Sequence, residues 1–207
     1  MVPRAAAAQG NTILERLNLD RLQLVSLGAW AGPIRPSQVD ATSIFGVSAD
    51  YGEITRGVRI VFGVSFWQSH YTDDVVRAFV DSLNRSLVNP GPNTTIAPSE
   101  ISLYDVTFSG ELRWTKTSPA AVSPYVSIGA SAHVINADGA LINGTFAERS
   151  LDDIAAGIFV AMGAQVRVVN HFGLEGSVRV DLLSGFRSIQ GRGGFNYYFG
   201  HLRSMNP

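Results

Sequence analysis

The strongest constraint in this sequence is a two-residue rhythm that returns about eight times, with opposite chemistry on the two faces of each segment. Residues 102–115 show it best. Tyr104, Val106, Phe108, Leu112 and Trp114 form one row, and Asp105, Thr107, Ser109, Glu111 and Arg113 form the other. Successive side chains of a strand point to opposite faces, so such a segment has one apolar wall and one polar wall. Little helical periodicity interrupts the series. The pattern predicts an all-β, antiparallel, up-and-down barrel.

The strand candidates are 22–31, 41–51, 57–69, 102–115, 124–135, 154–169, 172–183 and 191–199. Their connections alternate in length. Residues 50–56, 117–124 and 170–171 are short breaks, whereas 69–101 and 136–153 are long. Short turns at one end and long loops at the other are the layout of a barrel that crosses an outer membrane. The first long connection holds one helix, on the spacing of Val75, Val76, Phe79, Val80, Leu83 and Leu87. Thr72 can cap it, Asp73 and Asp74 suit its positive N-terminal end, and Asn89-Pro90-Gly91-Pro92 ends it.

Two barrels fit these strands. A soluble, lipocalin-like barrel puts apolar side chains inside, around a small apolar ligand, and would place Phe62, Phe108 and Val180 there. A transmembrane barrel turns them outward to lipid. The polar rows favour the second, because they consist mainly of Gly, Ser, Thr and Ala with isolated charges. The interior of an eight-stranded barrel is just wide enough to be filled by side chains, so small residues are needed there. Charged residues are only 16% of the chain, against about 25% in soluble domains, and Lys116 is the single lysine. The outside of a soluble barrel has little to be built from.

The lipid-facing row is therefore Phe62, Val64, Phe66, Val106, Phe108, Leu112, Trp114, Val126, Ile128, Val160, Val178, Val180, Phe195 and Tyr197. Aromatics near strand ends, including Tyr51, Trp67, Tyr104 and Phe199, fit interfacial girdles. The inward charges are Arg59, Asp105, Glu111, Arg113, Arg167, Glu175, Arg179, Asp181 and Arg192, expected to pair as a network that occludes the lumen.

Pro124-Tyr125-Val126-Ser127-Ile128-Gly129-Ala130 and Gly193-Gly194-Phe195-Asn196-Tyr197-Tyr198-Phe199 resemble a mid-barrel strand and the aromatic final strand of the small eight-stranded outer-membrane barrels of the outer-membrane protein A and X type. The resemblance covers 22–199. It implies an outer-membrane location and a structural, envelope-anchoring or surface-interaction role. The lipid bilayer would be its main partner, and a surface or envelope partner would be met through loops 69–100 and 136–153. Residues 1–21 read as a tail or signal remnant, with Ala6-Ala7-Ala8 resembling a signal's small-residue end, and 200–207 as a short tail.

Catalytic signals are thin. Ser131 and His133 share a strand face, with Glu111 and Asp105 available next door, and small barrels that deacylate lipid A use a Ser/His/acid set. The set faces the lumen, away from any lipid substrate, so no enzymatic activity is expected. His70, His133, His171 and His201 lack metal-ligand spacing, there is no Cys, and no cofactor is expected. A net charge of −1 and no basic-aromatic platform argue against nucleic acid.

Overall fold

The structure is a computed structural model that describes residues 22–86, 101–116, 122–138, 153–183 and 186–199. Its elements are β1 (Ser26–Pro36), β2 (Thr42–Thr55), β3 (Val58–His70), α1 (Asp73–Ser86), β4 (Ser102–Thr115), β5 (Val122–Asp138), β6 (Asp153–Val169), β7 (Phe172–Leu183) and β8 (Phe186–Tyr198). Each strand pairs antiparallel with the next, and β8 returns to β1 to close an eight-stranded barrel. Closure leaves no strand edge with unanswered amides, which is what a wall facing hydrocarbon demands.

Glycine makes the tightest hairpin possible. Gly57, in the β2–β3 turn, has φ +76°, and Gly52 has φ +86° where the β2–β3 register shifts between Asp50 and Glu53. The Gly52 amide donates to Asp50 Oδ1 at 2.7 Å. This hairpin, with those at Lys116 and at Asn170-His171, defines the turn end of the barrel; α1 lies at the opposite, loop end.

Strand positions agree within a residue for β3, β4, β6 and β7, whereas β2 runs on to Thr55, β5 extends at both ends to Val122 and Asp138, and the first and last strands differ. β1 runs to Pro36 rather than stopping at Ala31, and β8 begins at Phe186 rather than Gly191. Proline explains the first difference. Pairing of β1 with β8 is interrupted at Gly32 and Pro33, where proline has no N–H to give, and resumes at Ile34–Gln190. The helix forms as the spacing predicts. The Thr72 carbonyl accepts from Val75 and Val76 amides at 3.0 and 3.1 Å, and Val76 and Val80 are buried. The side chains of Phe79 and Leu83, and residues 87–100, 139–152, 1–21 and 200–207, lie outside the described residues.

The outer wall carries the apolar rows. Phe62, Val64, Phe108, Leu112, Trp114, Val126, Ile128, Val160, Val178, Phe195 and Tyr197 are exposed on it, and Phe66, Val106 and Val180 are half-buried in the same rows. Phe62 and Phe108 are about half exposed, at 49% and 51%, which removes them from any internal ligand cavity. On β4 the apolar row runs from Val106 to Trp114, close to the about 9–11 residues with which a tilted strand spans hydrocarbon. Tyr51, Trp114, Phe172, Tyr197 and Phe199 ring the turn end; Tyr197 sits 5.3 Å from both Phe172 and Phe199.

Toward the loop end both walls change character. Outside, the rows continue as Arg35, Ser43, Gln68, Asn136, Asp138 and Arg187, all exposed. Inside, Ile34, Ile44, Trp67, Leu103 and Ala137 form a buried apolar cluster, with Phe186 stacked on Trp67 at 6.3 Å. Trp67 is thus no girdle residue; it is 2% exposed and points inward. Segment 37–40 folds across the mouth, through the Val39–Tyr71 bridge and a 2.9 Å bond from the Asp40 amide to the His70 carbonyl. Below this collar the barrel is apolar outside and polar inside; within it the reverse holds, as in a protein bathed in water.

Gly57→Ala is expected to lower stability by about 1 kcal/mol, because a Cβ is strained at positive φ. Gly193→Ala, where an added Cβ meets nothing within 4 Å, should leave it unchanged. Denaturant midpoints of the folded barrel in detergent micelles check both.

Candidate functional site in the barrel interior

The interior below the apolar cluster is lined by charges on narrow, small-residue walls. Nearest the cluster is Asp105, 1% exposed. It accepts from Trp67 Nε1 at 3.0 Å and lies 2.8 Å from His133 Nδ1. On the other side of the ring, His133 Nε2 lies 3.0 Å from the Ser131 hydroxyl oxygen. Asp105 therefore ties the apolar cluster to the polar lumen.

The order Ser131–His133–Asp105 is also that of a nucleophile, its base and an orienting acid. Glu111 takes no part in it. All three groups are buried and face the barrel axis. The carboxylate is shared with the Trp67 indole, so the string serves as a clamp between β3, β4 and β5.

Farther toward the turn end, Asp181, fully buried, accepts from Arg179 Nε at 2.9 and 2.8 Å, from Arg179 Nη2, and from Gln190 Nε2 at 2.8 Å. Next comes a cluster around Glu175. Arg113 Nε donates to Glu111 at 2.7 Å, while its Nη1 and Nη2 reach Glu175 at 3.3 and 3.2 Å. Gln165 and Asn196 donate to Glu175 Oε2 at 2.8 and 3.0 Å, and Tyr125 donates to Oε1. Last, Arg59 pairs with Asp50 at 2.8 Å. The several donors on Asp181 and on Glu175 matter here, since a buried charge with an incomplete shell costs several kcal/mol.

Three of the nine charges expected to pair as arginine with carboxylate do otherwise, the first being Asp105, which is held by Trp67, Thr107 and His133. Arg192 donates to the neutral Gln190 Oε1 from Nε and Nη2, at 3.0 and 2.7 Å. Arg167 lies over the Tyr198 ring, 4.0 Å from its centroid. Neither forms an ion pair with a carboxylate among the described residues. The reason is a second partner class that alternation alone did not single out, namely aromatic rings in the inward rows. Arg179 stacks on Phe159 at 3.4 Å, Arg192 on Trp30 at 3.9 Å and Arg113 on Tyr125 at 4.0 Å. A planar guanidinium can give its edge to oxygen and its face to a ring at once. The available signal was the recurrence of a large ring within otherwise small inward rows. An interior cavity of about 30 Å³ remains beside Trp30, Glu111, Arg113, Glu175 and Arg192, space for about two waters.

Asp181→Ala should destabilise the barrel by about 3–5 kcal/mol, because it strands the Arg179 charge. The double change Arg179→Met with Asp181→Leu should recover most of that loss. Equilibrium unfolding of the three variants in micelles measures the difference.

No family model matches the chain, and no curated protein matches it. Among solved structures the barrel is similar to Neisserial surface protein A, at 16% identity and a TM-score of 0.53, over 84% of this chain and 96% of that one. It is also similar to the N-terminal β-barrel domain of Pseudomonas aeruginosa OprF, at 17% identity and a TM-score of 0.50, over 84% of this chain and 98% of that domain. The chain has the fold of the small eight-stranded outer-membrane β-barrels.

Proposed function

We propose that this chain is an outer-membrane anchor, held in the bilayer by its apolar belt, with a structural or surface-interaction role and an occluded lumen. The observation that carries the reading is the reversal of inside and outside along the same strands. Side chains such as Phe108, Ile128 and Val160 face outward in the belt, whereas Trp67, Ile34 and Leu103 face inward in the collar. Hydrocarbon around the belt and water around the collar are the surroundings that make both choices favourable. The collar and α1 would stand clear of the bilayer on one side, where an envelope or surface partner could be met.

The dry cluster at the mouth and the charges beneath it support occlusion. From the loop end, an ion would have to pass Trp67, Ile34 and Ile44 before reaching the charges of the lumen. A catalytic role for Ser131 has no support in access, since its hydroxyl is enclosed. Ser131→Ala is expected to alter stability alone.

Three measurements test the reading. The protein should require detergent for extraction and should migrate differently on gels with and without heating; recovery of folded chain in plain buffer would overturn it. Val160→Arg should cost about 2–4 kcal/mol of folding free energy in phospholipid vesicles, as expected for a cation near mid-bilayer. Planar bilayers containing the protein should show no steady conductance, whereas Trp67→Gly, which opens the cluster, should admit ions.

A further inference from the structure

At the turn end, the outer wall between the β2–β3 and β4–β5 hairpins holds a groove of about 470 Å³. Arg56 and Lys116 stand at its watery rim, and Trp114, Pro124 and Val126 line the side toward the belt. The backbone fixes these positions. The Thr115 amide donates to the Gly57 carbonyl at 2.9 Å, and the Lys116 amide to Pro124 at 3.1 Å. Arg56, which precedes Gly57, and Lys116, which follows Thr115, are thereby held on neighbouring hairpins.

Both cations lack a carboxylate partner among the described residues, and the sequence from 117 to 121 contains no acid. Trp114 lies between Val58 and Val126 in the outward row and is 44% exposed. The groove thus presents two positive charges at the rim and, nearer the belt, an indole beside an apolar wall. A phospholipid displays the matching sequence of phosphate, ester and acyl chain.

We propose that this groove binds an anionic glycerophospholipid of the leaflet at the turn end, with its phosphate between Arg56 and Lys116 and an acyl chain along Trp114 and Val126. The inference rests on the membrane reading above. Two cations around one phosphate favour phosphatidylglycerol, whose headgroup has a net charge of −1, over a zwitterionic headgroup, which would bring a third cation beside them. The attraction belongs to the interface, where basic residues gain from anionic lipid and lose that gain in salt.

Tryptophan fluorescence provides the test, because Trp30 and Trp67 turn into the barrel while Trp114 faces out. The full chain is folded into phosphatidylcholine vesicles containing either phosphatidylglycerol or further phosphatidylcholine with brominated acyl chains. Brominated phosphatidylglycerol should quench preferentially, and Trp114→Phe should abolish the difference. Arg56→Gln and Lys116→Gln should each reduce the preference about fivefold, and high salt should reduce it in the parent chain. Equal quenching by the two lipids would overturn the site while leaving the barrel in its membrane. Quenching by neither would overturn the membrane reading and the site with it. Loss of the preference on adding millimolar glycerol phosphate at constant ionic strength would also overturn it, by showing a site for a free anion. Heat-dependent gel migration confirms that each variant is folded.

Discussion

Hydrocarbon offers a backbone no hydrogen-bond partner, and the rest of this molecule follows from how the chain meets that demand. Eight antiparallel strands close on one another, so each amide in the wall is answered by a neighbouring strand. Closure at this strand number leaves a tight axis, and the inward rows must suit it. Ser48, Gly63, Ser109, Ser131, Gly157 and Ser177 keep their side chains short, leaving room for a few large groups. The large groups are then arranged so that Arg113, Arg179 and Arg192 each give an edge to oxygen and a face to a ring.

That arrangement resolves a conflict between packing and charge. A lumen filled only with aliphatic residues would be stable but indistinct from the outside wall. A strand could then slip by one residue and exchange its faces with little penalty. Placing Asp181, Glu175 and Arg113 on the axis makes such a slip expensive, because it would drive charges into lipid. The stacks of Arg179 on Phe159 and Arg192 on Trp30 let the same residues contribute apolar contact. Register is thereby specified by what cannot face hydrocarbon as much as by what can.

Much of the architecture was legible because period-two alternation is a local signal. The rows of β3, β4 and β7 could be read almost residue by residue, and α1 announced itself through Thr72, Asp73 and Asp74. Local signals failed where a distant partner decides the outcome. The first strand reads as ending at Ala31, before Pro33, until β8 supplies a gap in its pairing there. Trp67 looks like a girdle residue because its neighbours Phe66 and Gln68 are outward, but its own parity places it inside. The cluster it joins draws on β1, β2, β4 and β5, and no single segment displays it. Charges on the axis could be named, yet the rings that would cover them could not, since a guanidinium and its ring lie on different strands.

The exchange of rules between belt and collar also gives the molecule a fixed draught. Lifting it would pull Phe45, Phe66 and Val106 into water, and lowering it would submerge Gln68, Asn136 and Arg187. At the other margin the rings of Tyr197 and Phe199 resist movement in both directions. A barrel pinned at two levels cannot respond to a thicker bilayer by sliding. In the bilayer proposed for it, the surrounding lipid would thin around it instead, so the protein would impose its own thickness on the membrane nearby.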